Sequence, residues 1–283
     1  MKSFKIVYRI SSIYFRRWLS DYRILSIFVI LSLMTYTYTS ETINFASRVG
    51  YKVSPWFFAF MTTTRIFRLI YMILFILYIS GFPNSHKQNT FIHIRAGKLK
   101  LLEGEVLYII RASICYILFL VLSPIIMYIK VVEWNMDWGK VFGTLATTNA
   151  TEEFSNSLLY DSKIVERYMP LDAIFRSIVL MVQLCIFIGL LMFVINLATR
   201  SKFIGGFVTG FLVLLDFFLV TIPEGKQYLK YSPVSWSNLK YIDYMNQSTF
   251  PKFMYCFVLY SIMIIILLLL LLVHYKKYDR ELY

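Results

Sequence analysis

Apolar residues fall into six long runs, and short polar segments separate these runs along the chain. A helix needs about 20 mostly apolar residues to cross the hydrocarbon core of a membrane. Each run comes close to or exceeds that length. The pattern therefore predicts an all-α, polytopic membrane protein with six transmembrane helices, at residues 24–40, 56–80, 106–129, 171–197, 203–222 and 253–274.

The segment that precedes the first run, residues 1–23, sorts its side chains by helical periodicity. At 100° per residue, five of its six basic residues share one narrow face and its aromatic residues lie opposite. This pattern predicts an amphipathic helix in the membrane interface, with its basic side toward anionic headgroups. Residues 24–283 then form the transmembrane domain. The basic face holds Lys2, Lys5, Arg9, Arg16 and Arg23, and the opposite face holds Phe4, Val7, Tyr8, Tyr14, Phe15 and Trp18.

Composition supports the membrane class, and the distribution of charge predicts the orientation. Of the 283 residues, 58% are hydrophobic and only 16% are charged, with a net charge of +13. Soluble domains have about 25% charged residues. With the amino terminus inside, the cytoplasmic segments hold 15 Lys and Arg residues and the longer outer segments hold 10. The positive-inside rule therefore places both termini in the cytoplasm and the loops 130–170 and 223–252 outside.

Sequence patterns typical of catalytic or nucleotide-binding chemistry are missing. There is no P-loop, no HExxH and no nucleophile-elbow sequence. The three histidines, His86, His93 and His274, are scattered without metal-ligand spacing. No soluble basic domain could present the positive charge to nucleic acid. We therefore expect no catalytic residues, no metal site, no nucleic-acid partner and no cofactor bound by this chain, and we expect its basic residues to face the lipid membrane.

A charged, helix-prone segment at residues 90–105 lies between the second and third predicted spans. The segment is helix-prone and carries both apolar and charged positions, which predicts an amphipathic helix that runs directly into the third span. The apolar positions are Phe91, Ile94, Leu99 and Leu102, and the charged positions are Arg95, Lys98, Lys100, Glu103 and Glu105.

Two stretches carry a resemblance to a known family. Arg95, Gly97, Lys98, Lys100, Gly104 and Glu105 stand at places comparable to a charged motif after the second span of ABC-2 type exporter permeases, although leucine replaces the expected tryptophan at 101 or 102. "YSPVSWSNL" at 231–239 resembles the connection before the last span of these permeases. The layout is most similar to small Firmicute permeases for bacteriocin, lantibiotic or other peptide export and immunity.

The resemblance implies a permease in the bacterial cell membrane that exports a peptide, lipid-like or antimicrobial compound. Its implied partners are a cytosolic ABC ATPase dimer, which binds ATP and Mg²⁺, and a second permease copy or a paralogous permease. Residues 90–105 would be the coupling helix that docks on the ATPase, through the apolar and charged positions named above. The alternative is a basic juxtamembrane segment that binds anionic lipid, against which Glu103 and Glu105 argue because lipid attraction gains nothing from them.

Several ionisable residues lie inside the predicted spans, where each costs a few kcal/mol without a partner or a cavity. Arg176 and Asp216 lie at similar depths below the outer ends of their spans, which predicts an ion pair between them. Arg65 and Arg68 share a face of the second span. A further hypothesis places these two arginines along the translocation path, where they would meet acidic or amphipathic cargo.

Two other functions remain open on the sequence. A non-transporting immunity or receptor protein would bind a peptide through the loops 130–170 and 223–252. An ion-coupled secondary transporter is the other alternative. Against it, the two halves of the chain show no obvious repeat, and only one acidic residue lies well inside a span.

Overall fold

The computed structural model describes residues 2–19, 21–80, 96–148, 150, 160–201, 203–244 and 250–280. The regular elements in these ranges are α-helices and 3₁₀ helices, and no strand occurs among them. The all-α prediction is therefore confirmed. The α-helices are α1 (Lys2–Leu19), α2 (Tyr22–Val49), α3 (Phe58–Thr63), α4 (Arg65–Ile79), α5 (Lys98–Met127), α6 (Gly139–Thr147), α7 (Ser162–Arg167), α8 (Pro170–Thr199), α9 (Ile204–Thr221) and α10 (Phe253–Arg280).

Five of these helices, α2, α5, α8, α9 and α10, are long and apolar enough to cross a membrane, which indicates a multi-pass membrane protein. Helix α8 is central, because it packs against α4, α5, α9 and α10. The other long helices leave many apolar side chains exposed on their outward faces. Such faces suit contact with lipid.

The run at 56–80 is a broken helix rather than the single helix that its hydrophobicity predicts. Helix α3 ends at Thr63, and Thr64 has an extended backbone (φ −73°, ψ 125°) before α4 begins. The hydroxyls of Thr62 and Thr63 donate hydrogen bonds of 2.9 and 2.8 Å to the carbonyls of Ala59 and Phe60. Side-chain bonds of this kind compete with the helical ladder, and β-branched residues have reduced helix propensity. Three consecutive threonines therefore favour a break at this point.

We call the end of the bundle where α2 finishes and α8 begins the cap end. The chain between α9 and α10 folds back there as three short 3₁₀ helices, Pro223–Tyr231, Ser235–Ser237 and Leu239–Tyr241. We call residues 223–244 the return segment. Its Lys240 ammonium lies 2.5 Å from the Asp161 carboxylate, which joins the return segment to the start of α7.

Aromatic side chains fill the cap between α3, α6 and the chain that leads into α8. The Phe60 ring lies 5.0 Å from Trp138 and 5.3 Å from Phe142, measured between ring centroids. The Trp138 indole donates a 2.9 Å hydrogen bond to the carbonyl of Tyr168, so the polar part of this large side chain is satisfied. Buried aromatic pairs of this kind stabilise a fold beyond the area that they bury. The cap is therefore a packed layer and not a set of loose loops.

At the opposite end of the bundle, α1 packs along the first turns of α5. The buried ridge of α1 consists of Val7, Ile10, Ser11 and Tyr14, whereas Phe4 and Tyr8 of the predicted apolar face are exposed. The difference arises because α1 meets a protein helix on one side, so its apolar surface is divided between that helix and the surroundings.

Close contact between α1 and α5 depends on Gly104. A Cβ atom at this position would lie 2.5 Å from Cγ2 and 2.8 Å from Cβ of Ile10, which is nearer than carbon atoms can approach. Glycine therefore allows the two helices to meet at the height of Ile10. The Arg111 guanidinium extends the contact by donating 3.2 Å hydrogen bonds to the hydroxyls of Ser11 and Ser12.

We expect Gly104→Ala to lower the free energy of unfolding by about 1–3 kcal/mol, because the added methyl group overpacks the helix contact. Thermal denaturation in detergent measures the effect. Gly143→Ala is a matched control, since a Cβ at Gly143 meets nothing within 4 Å. Adding Ile10→Ala to Gly104→Ala should recover part of the loss. Equal behaviour of the Gly104 and Gly143 variants would contradict the close contact.

Candidate functional site

The most polar buried point of the described bundle joins α4 to α9. Asp216 belongs to the buried face of α9, which follows helical periodicity through Thr209, Val213 and Val220. Arg68 lies one turn after the start of α4 and is buried together with its apolar neighbours on that helix. The side chains of Arg68 and Asp216 are only 3% and 2% exposed. The two charges therefore have almost no water to solvate them.

Asp216 accepts hydrogen bonds from three side chains. Nη2 of Arg68 lies 2.8 Å from its Oδ2. Its other oxygen, Oδ1, accepts a 2.6 Å bond from the Ser232 hydroxyl and a second bond from the Ser235 hydroxyl. Both serines belong to the return segment. A buried charge is tolerated when it is paired and its remaining lone pairs are satisfied, so the return segment completes the environment of the carboxylate.

Arg68 is satisfied less completely than Asp216. Its Nη1 atom is buried and has no hydrogen-bond partner among the described residues. The neighbouring buried hydroxyls are engaged elsewhere, because Tyr71 donates to the Met181 sulfur at 3.2 Å and Tyr260 donates to the carbonyl of Pro233. The Tyr260 bond also holds the return segment against α10. We call Arg68, Asp216, Ser232 and Ser235 the polar centre.

The return segment also covers the break between α3 and α4. The side-chain amide of Asn238 donates a 3.3 Å hydrogen bond to the carbonyl of Thr63, whose helical partner is lost at the break. The Asn238 side-chain oxygen accepts a 2.9 Å bond from the backbone N–H of Lys240. Asn238 is 1% exposed, so an unsatisfied carbonyl here would be costly. The stretch 231–239 thus supports both the broken helix and the polar centre.

The predicted ion pair between Arg176 and Asp216 is wrong. Nε of Arg176 lies 2.7 Å from the Asp172 carboxylate, one turn earlier on α8. The Arg176 guanidinium also lies 4.9 Å from the centroid of the Phe253 ring. Equal depth along two helices does not place two side chains on facing surfaces, and an i, i+4 partner was available on the same helix. Asp216 instead faces α4.

Arg65 and Arg68 differ in their surroundings, although they lie one turn apart. Arg68 is buried by its ion pair, so in this conformation it does not line an open path. Arg65 is exposed and donates a 3.3 Å hydrogen bond to the Thr221 hydroxyl at the end of α9. Of the two arginines that sequence reasoning assigned to a translocation path, only Arg65 has its charge accessible.

The predicted coupling segment lies partly outside the described residues, which exclude Phe91, Ile94 and Arg95. Its second half forms the start of α5, so this part runs into the third span as one helix. Leu99 and Glu103 are exposed there, and Lys98 and Lys100 are half-buried.

Leu102 and Glu105 of the same segment are buried and are not available as docking residues in this conformation. They are 2% and 3% exposed. Glu105 accepts a 3.4 Å hydrogen bond from the Tyr14 hydroxyl, and Gly104 between them meets Ile10. These two positions of the predicted docking surface are therefore covered, because α1 occupies that side of α5. The only traces of this contact in the sequence are the apolar ridge of α1 and the glycine at 104.

What the polar centre does is hold elements together. It joins three elements of the bundle, which are α4, α9 and the return segment. Ser232 and Ser235 were not identified as site residues from the sequence. Their signal was present in the resemblance of the stretch 231–239, and in the rule that an intramembrane aspartate needs hydrogen-bond donors.

Comparison of the chain with models of protein families, with curated proteins and with solved structures finds no match.

We expect Asp216→Asn to destabilise the protein by about 3–5 kcal/mol, because it leaves the Arg68 charge buried without a counter-ion. Arg68→Gln should have a similar cost. The double variant should be more stable than the sum of the single effects predicts, and thermal denaturation of all three in detergent measures this coupling.

Arg176→Gln is the matched control for this cycle. Combined with Asp216→Asn, it should show additive losses, since Arg176 has its own partner in Asp172. Additivity in the Arg68 cycle, together with coupling in the Arg176 cycle, would contradict the observed pairing.

Proposed function

We propose that this chain is the transmembrane permease subunit of an ATP-driven exporter, which moves a peptide, lipid-like or antimicrobial compound out of the cell or the membrane. The observation that carries the proposal is the continuity of α5. This helix contains 30 residues from Lys98 to Met127, a length of about 45 Å, and therefore exceeds the thickness of the hydrocarbon core. Its first turns would project from the membrane as part of the same rigid element that crosses it.

Helix α5 is connected firmly enough to transmit a displacement. Near its middle, the Tyr116 hydroxyl donates a 2.6 Å hydrogen bond to the carbonyl of Tyr71 in α4. Tyr71 lies one turn beyond Arg68 of the polar centre. In its first half, α5 is held by α1 through Gly104 and Arg111. A force on the first turn would therefore reach both the centre of the bundle and α1.

The accessible part of the first two turns of α5 is the proposed docking surface. It contains the exposed residues Leu99 and Glu103 with the half-buried Lys98 and Lys100. An apolar residue surrounded by charges of both signs suits a protein groove better than an anionic lipid surface. The proposed partner is a cytosolic ABC ATPase dimer, which would bind ATP and Mg²⁺ and supply the ATP hydrolysis that drives export.

In the proposed arrangement the chain crosses a bacterial cell membrane six times, with both termini in the cytoplasm. The second crossing would be formed by α3 and α4 together, whose 22 residues from Phe58 to Ile79 span about 33 Å if extended as helix. Helix α1 would lie in the inner interface and the cap end would face outward. A second copy, or a paralogous permease, would complete the path for the cargo.

We expect the protein to co-purify with a P-loop ATPase when the two are co-expressed and solubilised in detergent. Leu99→Asp combined with Glu103→Lys should reduce ATPase stimulation at least about tenfold, because it changes an exposed apolar residue and an exposed charge of the proposed docking surface. The melting temperature should change little, since neither side chain is buried. ATP hydrolysis in liposomes measures the effect.

Glu166→Lys is the control, as it reverses an exposed charge in α7 at the cap end. It should leave ATPase stimulation unchanged. Measurement in liposomes with and without anionic lipid separates docking from lipid binding, because a docking defect persists in both. Full stimulation of ATP hydrolysis by the double variant in neutral lipid would refute the docking surface. Failure of every ATPase encoded by an adjacent gene to associate with the protein would refute the exporter proposal.

A further inference from the structure

A cavity of about 380 Å³ lies at the cap end, where the return segment meets the start of α10. One wall is formed by the end of the first 3₁₀ helix of the return segment. The other wall is formed by the chain that enters α10 and by the first turn of that helix. The lining residues are Lys230, Tyr231, Phe250, Pro251, Lys252, Met254 and Tyr255.

The charge of this cavity is positive. Lys230 and Lys252 both line it, and no acidic side chain does so among the described residues. Asp243 adjoins the cavity wall, because its backbone N–H donates a 3.0 Å hydrogen bond to the carbonyl of Pro251. The first turn of α10 adds to the positive potential, because backbone N–H groups at a helix start favour anions. The complementary ligand is therefore an anion.

The rest of the cavity is apolar and opens onto an apolar helix face. Tyr231, Met254 and Tyr255 are 66%, 67% and 51% exposed. From Met254 the exposed surface continues along α10 through Val258 and Ile262, at intervals of four residues. Such intervals form one continuous strip on a helix. A free inorganic anion would make no use of this strip, whereas an anion that carries hydrocarbon chains would.

We propose that this cavity binds the headgroup of an anionic phospholipid, whose acyl chains lie along the exposed strip of α10. The two lysines contact the phosphate, and Tyr231 and Tyr255 occupy the interfacial level that aromatic side chains with a polar end favour. The inference does not depend on the proposed export function, because it concerns only the cavity and the membrane around it.

Lipid bound at this position also stabilises the return segment. The Trp236 indole donates a 2.8 Å hydrogen bond to the carbonyl of Lys230, and its ring lies 6.4 Å from the ring of Tyr255. Ser232 of the polar centre follows the cavity residue Tyr231 directly. A headgroup that contacts both Lys230 and Lys252 therefore joins the return segment to α10, next to the serines that satisfy Asp216.

The test is a binding measurement on the purified full-length chain with short-chain phosphatidylglycerol as the probe. Phosphatidylcholine of the same chain length and inorganic phosphate serve as comparisons. We expect Lys230→Gln combined with Lys252→Gln to weaken phosphatidylglycerol binding at least about tenfold, because each lysine near an anionic headgroup contributes about fivefold. Lys52→Gln combined with Lys163→Gln removes the same number of charges from exposed positions at the same end and should leave binding unchanged.

A second variant, Met254→Asp, tests the cavity without removing either lysine. Met254 is 67% exposed, so the protein should fold, yet the added carboxylate repels the headgroup and should weaken binding by a similar factor. Equal binding of phosphatidylglycerol and phosphatidylcholine would overturn the proposal. So would an equal loss in the control variant, or inorganic phosphate displacing the lipid at comparable concentrations, which would indicate a site for free phosphate.

Discussion

One buried ion pair, between Arg68 and Asp216, constrains the cap end of this bundle. The charges lie among apolar helices, with 3% and 2% of their side chains exposed. Two charges in such a place cost several kcal/mol each unless their hydrogen bonds are supplied by the protein. That requirement explains why the chain between α9 and α10 returns to the bundle, since Ser232 and Ser235 donate to the free oxygen of Asp216.

The same return segment makes the broken helix possible. A break inside an apolar environment exposes backbone groups that water cannot satisfy. Asn238 supplies a donor to the carbonyl of Thr63, and the threonine hydroxyls bond within the preceding turn. The break places Arg68 one turn below the start of α4 and thereby at the height of Asp216. Ion pair, break and return segment thus depend on one another, and we infer that they form or separate together.

Hydrophobic periodicity predicted the helical class and the approximate positions of the long helices, because burial in lipid or protein imposes the same pattern on every such helix. The broken second run was missed, since its apolar composition is continuous through the three threonines. The wrong ion pair has a separate cause, because similar depth of Arg176 and Asp216 along two helices does not place their side chains on facing surfaces.

At the opposite end of the bundle, the amphipathic pattern of α1 indicated a helix but could not identify its neighbour. An apolar face is equally compatible with lipid and with protein, and α1 uses its faces for both. Its contact with α5 buries Leu102 and Glu105, so the proposed docking surface is smaller than the charge pattern alone suggests. Arg111 illustrates the same point. A long basic side chain can equally reach toward lipid headgroups or bond to a protein neighbour, and here its guanidinium donates to the hydroxyls of Ser11 and Ser12.

The dependence of the return segment on the ion pair is the central claim, and hydrogen–deuterium exchange tests it most directly. The amides of Ser232, Ser235 and Asn238 are bonded within the segment, so peptides covering residues 231–239 should exchange slowly in the unmodified protein. In the Asp216→Asn variant these peptides should lose protection, while peptides from the central helix α8 keep theirs. Unchanged protection at 231–239 in that variant, or an equal loss throughout α8, would contradict the account.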